Sequence, residues 1–235
     1  MNKLLVTFAA AISVAATGSA RAADMPVKAP LYRAPPASTW GGCHAGIEGG
    51  GNFGEANVFN LLTDKFLTNR FELRGGLFGG TFGCDWQYAA HWVIGIEDDI
   101  SWTSKGGSAA NLGKAPTTTN SVSERWIDTL RGRIGLAVDH ALLYATGGAA
   151  FAGSALDVCG NAGCFSQTLD RSGWVVGFGV EWTFAPQWTT KVEYLHADFG
   201  EANYTAMPSR PVDGRRILLN DDIFRAGVNY RFYPW

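Results

Sequence analysis

The sequence predicts an all-β fold, namely an eight-stranded antiparallel up-and-down transmembrane β-barrel. Three observations predict it: side-chain character alternates with a period of two in eight segments, one face of these segments is apolar, and short and long connections alternate between them. The 235 residues include 30 glycines, 9 tryptophans and 14 phenylalanines. Glycine costs about 1 kcal/mol in a helix interior, so this composition favours strands. Only 17% of the residues are charged, which argues against a disordered or nucleic-acid-binding chain.

Residues 1–22 have the features of a secretory signal peptide. Lys3 provides the positive start, residues 4–16 are predominantly apolar, and the small residues Ala20 and Ala22 occupy the positions that signal peptidase reads. A short membrane anchor or a buried helix is the alternative, although thirteen helical residues span only about 20 Å of a core about 30 Å thick. The rest of the sequence has no run of 18 apolar residues that would predict a transmembrane helix.

Residues 23–39 are predicted to be a proline-rich periplasmic tether. The segment 26–38 contains four prolines, and each of them lacks a backbone N–H and restricts φ, so we expect an extended linker. A ligand for a recognition domain is the alternative interpretation. The barrel is expected to occupy residues 40–235.

Eight strands are predicted within that region. Alternation is clear in the last of them, where Phe224, Val228 and Phe232 lie on the face opposite to Arg225 and Arg231. The predicted strands are 42–53, 73–86, 91–103, 125–138, 141–153, 172–184, 187–199 and 222–232.

The polar face of these strands carries charges of both signs. A soluble barrel would expose this face to water and a membrane barrel would enclose it, and alternation alone does not distinguish the two. The mixture of six carboxylates and five cations favours enclosure, because an unpaired buried charge is heavily penalised. An eight-stranded interior is just wide enough for side chains, so we expect a hydrogen-bonded plug rather than a wide pore. The charged residues are Glu48, Asp85, Glu97, Asp99, Arg131, Arg133, Glu181, Lys191, Glu193, Arg225 and Arg231.

Two further features favour a membrane barrel. Trp and Tyr residues lie toward the strand ends on the apolar face, as in aromatic girdles. The connections after the second, fourth and sixth strands are a few residues long, whereas 54–72, 104–124, 154–171 and 200–221 form four long connections. Outer-membrane barrels have short periplasmic turns and long outer loops. The even strand number then places both termini on the periplasmic side. The alternative to a membrane barrel is a soluble lipocalin-like barrel.

Several motifs give the chain a family resemblance. It resembles the small outer-membrane barrels of alphaproteobacteria, which are known as outer-membrane immunogenic or porin-family proteins with an OmpA/OmpX-like barrel. The resemblance covers nearly all of the chain after the signal peptide. The matching stretches are 93–100 (VIGIEDDI), 126–135 (WIDTLRGRIG), 142–148 (LLYATGG), 174–182 (WVVGFGVEW), 191–195 (KVEYL) and 225–232 (RAGVNYRF).

This resemblance implies an integral protein of the cell outer membrane with a structural or surface-antigen role in the envelope. It also implies partners, namely outer-membrane lipid, lipopolysaccharide and the outer-membrane assembly machinery, with loops available to a host or surface ligand. The family label and its haemin-binding relatives leave two alternatives open, a small-solute porin and a haemin-binding surface protein. Tyr204 and Met207 are the candidate haemin ligands in the loops, and the expectation from the sequence is that no cofactor is bound.

The chain departs from the family pattern in two places besides its cysteines. It continues with residues 233–235 beyond the usual terminal aromatic residue, here Phe232. Asp98 has the parity of the lipid-facing residues, and because a charge is costly at the bilayer midplane we expect it to lie off-centre. Apart from these departures, the segment 210–216 contains three arginines that could contact lipopolysaccharide phosphates or could belong to a solvated loop. The predicted loops carry few other charges, and Lys105 lies in the second of them.

The four cysteines are the remaining departure, and an exported chain favours their oxidation. Cys159 and Cys164 enclose a Gly-rich segment that suits a tight turn. Cys43 and Cys84 are symmetric about the centre of the first predicted hairpin. We therefore expect the disulfides Cys43–Cys84 and Cys159–Cys164, with free thiols as the alternative.

No catalytic residues are predicted, and we expect a protein that is not an enzyme. Residues 177–182 begin like a dinucleotide-binding loop, but a strand follows instead of a helix. The four histidines are far apart in sequence and do not form a recognisable set with serine and an acid. The carboxylates of the polar face are better explained as ion-pair partners of its arginines than as acid–base pairs.

Overall fold

The computed structural model describes residues 40–88, 91–113, 118–161, 163–204 and 214–232. The predicted signal peptide, the predicted tether and the extra C-terminal residues 233–235 lie outside these described residues. Within the described ranges, no helix is long and apolar enough to cross a membrane.

The described residues form one antiparallel sheet of nine strands. Eight of the strands are 12 to 23 residues long, and β4 is a short strand of 5 residues that the sequence did not predict. The strands are β1 (Gly42–Asn60), β2 (Phe71–Tyr88), β3 (Trp92–Thr103), β4 (Gly106–Ala110), β5 (Thr119–Val138), β6 (Ala141–Gly160), β7 (Gly163–Ala185), β8 (Trp188–Tyr204) and β9 (Arg215–Arg231).

The eight long strands close into a ring. Each pairs with its neighbours in the order β1-β2-β3-β5-β6-β7-β8-β9, and β1 pairs with both β2 and β9. The short strand β4 pairs with β5 and touches β2 at one position. This arrangement confirms the predicted eight-stranded up-and-down barrel. Closure satisfies the backbone groups that an open sheet would leave at its two edges, which a lipid environment requires.

The outward wall of the central barrel is apolar, as the alternation predicts. Phe82, Ile96, Leu130 and Val192 are each more than half exposed. Exposed tryptophans lie nearer the strand ends. The apolar wall and these flanking tryptophans together have the composition of a surface in contact with lipid. The exposed tryptophans are Trp86, Trp92, Trp102, Trp174, Trp182 and Trp188.

Polarity inverts in the outer part of the barrel, at the end where the long connections lie. In β2, Leu73 and Leu77 point inward, and Glu72 and Arg74 are exposed on the outside. A cluster of buried apolar residues contributed by β1, β2 and β5 to β9 packs here. An apolar interior under a polar wall is the pattern of a barrel surrounded by water, so these outer segments extend beyond the hydrocarbon layer.

The predicted lengths of the long loops were wrong, because the strands continue into them. β6 and β7 pair as far as Gly160 and Gly163, which leaves two residues where 154–171 was expected to be a loop. The connection between β1 and β2 is limited to 61–70. The physical reason is the inversion of polarity. Outside the membrane the inward side chains are apolar and the outward ones polar, so the sequence pattern is the reverse of the pattern inside the membrane and does not indicate that the same strand continues.

A β-bulge interrupts the pairing of β8 with β9 in the outer part, where the register shifts between Asp198 and Glu201. The pairing of β7 with β8 ends nearby, at Trp174 and Asp198. Gly200, at the shift, has a φ of 59°, which an L side chain rarely adopts. Arg171 of β7 links β7 to this part of β8 by donating to the carbonyl of Gly200 at 2.9 Å.

Candidate functional site in the barrel lumen

The centre of the lumen is filled by a network of ion pairs that begins at Arg131 of β5. Its guanidinium donates to Glu193 Oε1 at 2.7 Å and to Glu97 Oε1 at 2.6 Å, and it also contacts Asp99. These carboxylates come from β8 and β3, so one side chain links three strands across the interior. Charge-assisted bonds of this kind are the stronger hydrogen bonds of proteins.

Arg133 occupies the next inward position of β5, two residues along the strand. Its Nε donates to Asp85 Oδ1 at 2.7 Å, and its Nη1 lies 3.1 Å from both Glu97 Oε2 and Glu181 Oε2. Glu97 therefore joins the partners of Arg131 to those of Arg133.

Two further cations complete the centre. Arg225 of β9 donates to Glu48 Oε1 at 2.5 Å, to Asp99 Oδ2 at 2.7 Å and to Glu193 Oε2 at 2.7 Å. The ammonium of Lys191 lies 3.0 Å from Glu97 Oε1 and 3.3 Å from Glu48 Oε2. Each of these carboxylates is shared by at least two cations, so the network is continuous.

Arg231 lies in the network at the periplasmic end of the lumen. Its guanidinium stacks over the ring of Trp40 at 5.1 Å and also donates to the Trp40 carbonyl. The same group lies 3.3 Å from Asp85 Oδ2. Trp40 packs there with a small apolar cluster that includes Leu142 and Tyr144. These side chains occupy the inner mouth of the barrel.

The structure brings all eleven predicted lumen residues together. Each is buried, and the most exposed of them, Arg231, has only 7% of its surface accessible. Their parity in the strands places them inside, because alternate side chains of a strand point to opposite faces. Chemically, this arrangement can act as a plug, because paired charges of opposite sign fill an interior that is just wide enough for side chains.

Sequence reasoning missed His44, which lies within this network. Its Nε2 is 3.1 Å from Glu97 Oε2 and its Nδ1 is 3.5 Å from Asp85 Oδ2. Its even position in β1 matches that of Glu48, and this inward parity was the available signal.

A second buried polar cluster lies further out and was also missed. Lys105 contacts Asp221 and lies 3.2 Å from Glu124 Oε2, and Asn52 donates to Glu124 Oε1 at 2.9 Å. Lys105 lies between β3 and β4, in the predicted second loop, but only 1% of its surface is exposed. Asn52 and Asp221 follow the inward parity of their strands, but Lys105 lies between strands, where no periodic signal exists.

Both expected cysteine pairs are joined in the structure. Cys43 and Cys84 are directly opposite in β1 and β2, with 3.9 Å between their Cα atoms. Cys159 and Cys164 close the tip of the β6–β7 hairpin with a Cα distance of 4.0 Å. The first pair is at the periplasmic end of the outward wall, and the second is at the opposite end of the barrel.

Two loop interpretations need correction. Tyr204 is the last residue of β8 and is fully buried, where its hydroxyl lies 2.7 Å from Ser154 Oγ, so it is not a loop residue open to haemin. Arg215 and Arg216 belong to β9 and not to a solvated loop. Met207 and Arg210 lie outside the described residues. Among the residues that are described, no group of three or more His, Cys, Asp or Glu side chains is arranged to hold a metal ion.

Comparisons with known proteins agree with this architecture. A family model described as the outer membrane protein beta-barrel domain matches residues 7–232. A 31 kDa outer-membrane immunogenic protein of Brucella melitensis is 31% identical, over 95% of this chain and 98% of that protein. A 22 kDa outer membrane protein of Rhizobium leguminosarum is 29% identical over 72% of this chain and 69% of that protein. The crystal structure of the outer membrane protein OprG from Pseudomonas aeruginosa aligns with a TM-score of 0.56 at 13% identity, over 83% of this chain and 97% of that one, and shows a likeness of fold alone.

Proposed function

Because this chain belongs to the outer membrane protein β-barrel domain family and is an outer-membrane protein, we propose that it is a structural, surface-exposed barrel with a closed lumen. The relatives named as outer-membrane immunogenic proteins support a surface-antigen role. The wall anchors the protein in lipid, and the outer segments are presented to the surroundings. The observation that carries the proposal is the continuous ion network across the lumen.

A closed lumen predicts the absence of conductance. A pore for small solutes would need a water-filled path, whereas here Arg131, Arg225 and Lys191 are each less than 6% exposed and bonded to carboxylates of other strands. Planar-bilayer recording of the purified protein should therefore show no stable current steps. The positive control is a variant with Arg131→Ser and Glu193→Ser, which removes a central cation and its partner, and should conduct. Stable steps in the unmodified protein would instead establish the small-solute porin.

The outer segments are the parts offered to antibodies, host molecules or lipopolysaccharide. We expect an epitope inserted between Leu62 and Thr63, in the β1–β2 connection, to be labelled on intact cells. The matched control is the same epitope between Asp139 and His140, in a short turn at the opposite end. That epitope should be labelled only after the outer membrane is permeabilised. The reverse pattern would contradict the proposed orientation.

We infer that the protein has no catalytic role. The buried carboxylates that resemble acid–base pairs are held by arginines, as Glu97 and Asp99 are by Arg131. The partners that a barrel in this membrane requires are the outer-membrane assembly machinery, which folds it, and lipopolysaccharide, which contacts it. A cofactor is not part of the proposal.

A further inference from the structure

The central network is not electrically balanced by its permanent charges. It contains six carboxylates, Glu48, Asp85, Glu97, Asp99, Glu181 and Glu193, but five arginine and lysine side chains. An uncompensated charge in an enclosed interior carries a large energetic penalty. Lys105 does not supply the missing cation, because it is bonded to Asp221 and Glu124 in the second cluster.

The imidazole of His44 lies where a sixth cation is needed. It is fully buried, and its two nitrogens face carboxylate oxygens of two different strands, Glu97 at 3.1 Å and Asp85 at 3.5 Å. A neutral imidazole has one N–H donor and one bare acceptor nitrogen, so one of its nitrogens would face an oxygen acceptor with no hydrogen between them. An imidazolium has two N–H donors, so its Nε2 can donate to Glu97 while its Nδ1 carries an N–H toward Asp85 at ion-pair distance.

The charged groups around His44 come from five other strands. The carboxylates are Asp85 from β2, Glu97 from β3 and Glu181 from β7. The cations are Arg133 from β5 and Arg231, which is opposite His44 in β9. Because Glu97 is also shared with Arg131 and Lys191, the missing charge is counted over the whole network, in which an imidazolium at His44 would balance the sixth carboxylate.

Gly83 makes room for the ring. It is directly opposite His44 in β2, and a Cβ atom placed there would lie 2.8 Å from both Cε1 and Nε2 of the imidazole. A side chain at this position would displace the ring from Glu97. The neighbouring strand therefore accommodates the imidazole where it reaches both carboxylates.

We propose that His44 carries a proton in the folded barrel and is the sixth cation of the lumen network, so that the stability of the barrel is coupled to proton concentration. This inference rests on the enclosed lumen of the proposed function, but its test does not depend on conductance. A conducting barrel would overturn the closed lumen while leaving the state of His44 to be measured directly.

Nitrogen NMR of the protein in lipid vesicles measures directly whether both ring nitrogens of His44 carry a proton. At about pH 8, where an ordinary imidazole with a pKa of about 6.5 is almost entirely neutral, His44 should show two protonated ring nitrogens. Its signal is assigned by its loss in the variant His44→Gln or, if that variant does not fold, by through-space contact with Gly83. A bare ring nitrogen on His44 at this pH would overturn the proposal.

The pH dependence of unfolding provides a second test. If the folded state holds one more proton than the unfolded state, stability falls as pH rises above the ordinary imidazole range. The urea midpoint of the unmodified protein should therefore fall between about pH 7 and pH 9, and His44→Gln should lack this component. The control His140→Gln, in an exposed turn, should keep it. Equal pH slopes in the unmodified protein and His44→Gln would contradict the coupling.

Discussion

Glu48 of β1 accepts a hydrogen bond of 2.5 Å from Arg225 of β9, so a buried ion pair joins the first and last strands of the ring. The two residues are 177 positions apart in the sequence. Their strands also pair through the backbone over most of β1. Closure of the barrel and completion of the lumen network therefore happen at the same seam.

Removal of Arg225 should destabilise the barrel strongly. Arg225→Gln removes the cation that contacts Glu48, Asp99 and Glu193 together, and breaking a buried pair typically costs about 3–5 kcal/mol. The measurement is urea unfolding in lipid vesicles, followed by the heat-modifiable gel mobility of the folded barrel.

The matched control is the exposed ion pair of Arg70 and Glu55, whose atoms lie 2.9 Å apart with 65% and 43% of the side chains accessible. Arg70→Gln should cost less than about 1 kcal/mol, because water screens the pair. Equal losses in the free energy of unfolding for Arg225→Gln and Arg70→Gln would show that the buried lumen pair contributes no more than an exposed one.

The outer part of the barrel should behave like the core of a water-soluble protein. Leu156 is fully buried there, and Leu156→Ala should lower the free energy of unfolding by about 2–5 kcal/mol. Leu218 points outward and is 38% exposed, so Leu218→Ala should cost less. The comparison uses the same urea assay. A larger loss at Leu218 than at Leu156 would contradict the inverted polarity.

The two disulfides should contribute unequally. In the loop-entropy description, the crosslink Cys43–Cys84, with a sequence separation of 41, contributes about 4 kcal/mol, and Cys159–Cys164, with a separation of 5, contributes about 2 kcal/mol. Paired Cys→Ser variants, unfolded with and without reductant, provide the measurement. Reductant should have no further effect on a variant that lacks both pairs, and thiol labelling of the unreduced protein should find no reactive cysteine.

Replacement of Asp98 should stabilise the protein in lipid. The residue is exposed on the outward wall between Ile96 and Ile100, four residues from Trp102 and six from Trp92 along β3, and its carboxylate lies near that of Asp128 on β5. Asp98→Leu should gain about 1 kcal/mol, since a lipid-facing acid costs less than a midplane arginine or lysine. Ile96→Asp is the reciprocal control and should lose stability. A loss in Asp98→Leu would show that this carboxylate is needed by a partner.

The lumen residues that were predicted from the sequence all lie within continuous strands. Arg131 and Arg133 alternate with apolar neighbours within one continuous strand, so parity alone places them on the same face as Glu181 and Arg225. The position of Lys105 was not predictable in this way, because it follows the end of β3 and reaches Glu124 through the three-dimensional arrangement of strands. His44 had the correct parity, but its role depends on carboxylates supplied by two other strands.

The sequence by itself determined the period of two, the number of long strands, the apolar wall and the set of inward charges, because each of these follows from the local alternation of side chains along a strand. Only the tertiary structure decided how far the strands continue beyond the membrane and which groups meet inside. Whether lipid or water surrounds a residue decides which face of its strand is apolar. That surrounding depends on the position of the residue along the axis of the assembled barrel. The charge state of His44 is likewise a property of the enclosed set of neighbours and not of β1 alone.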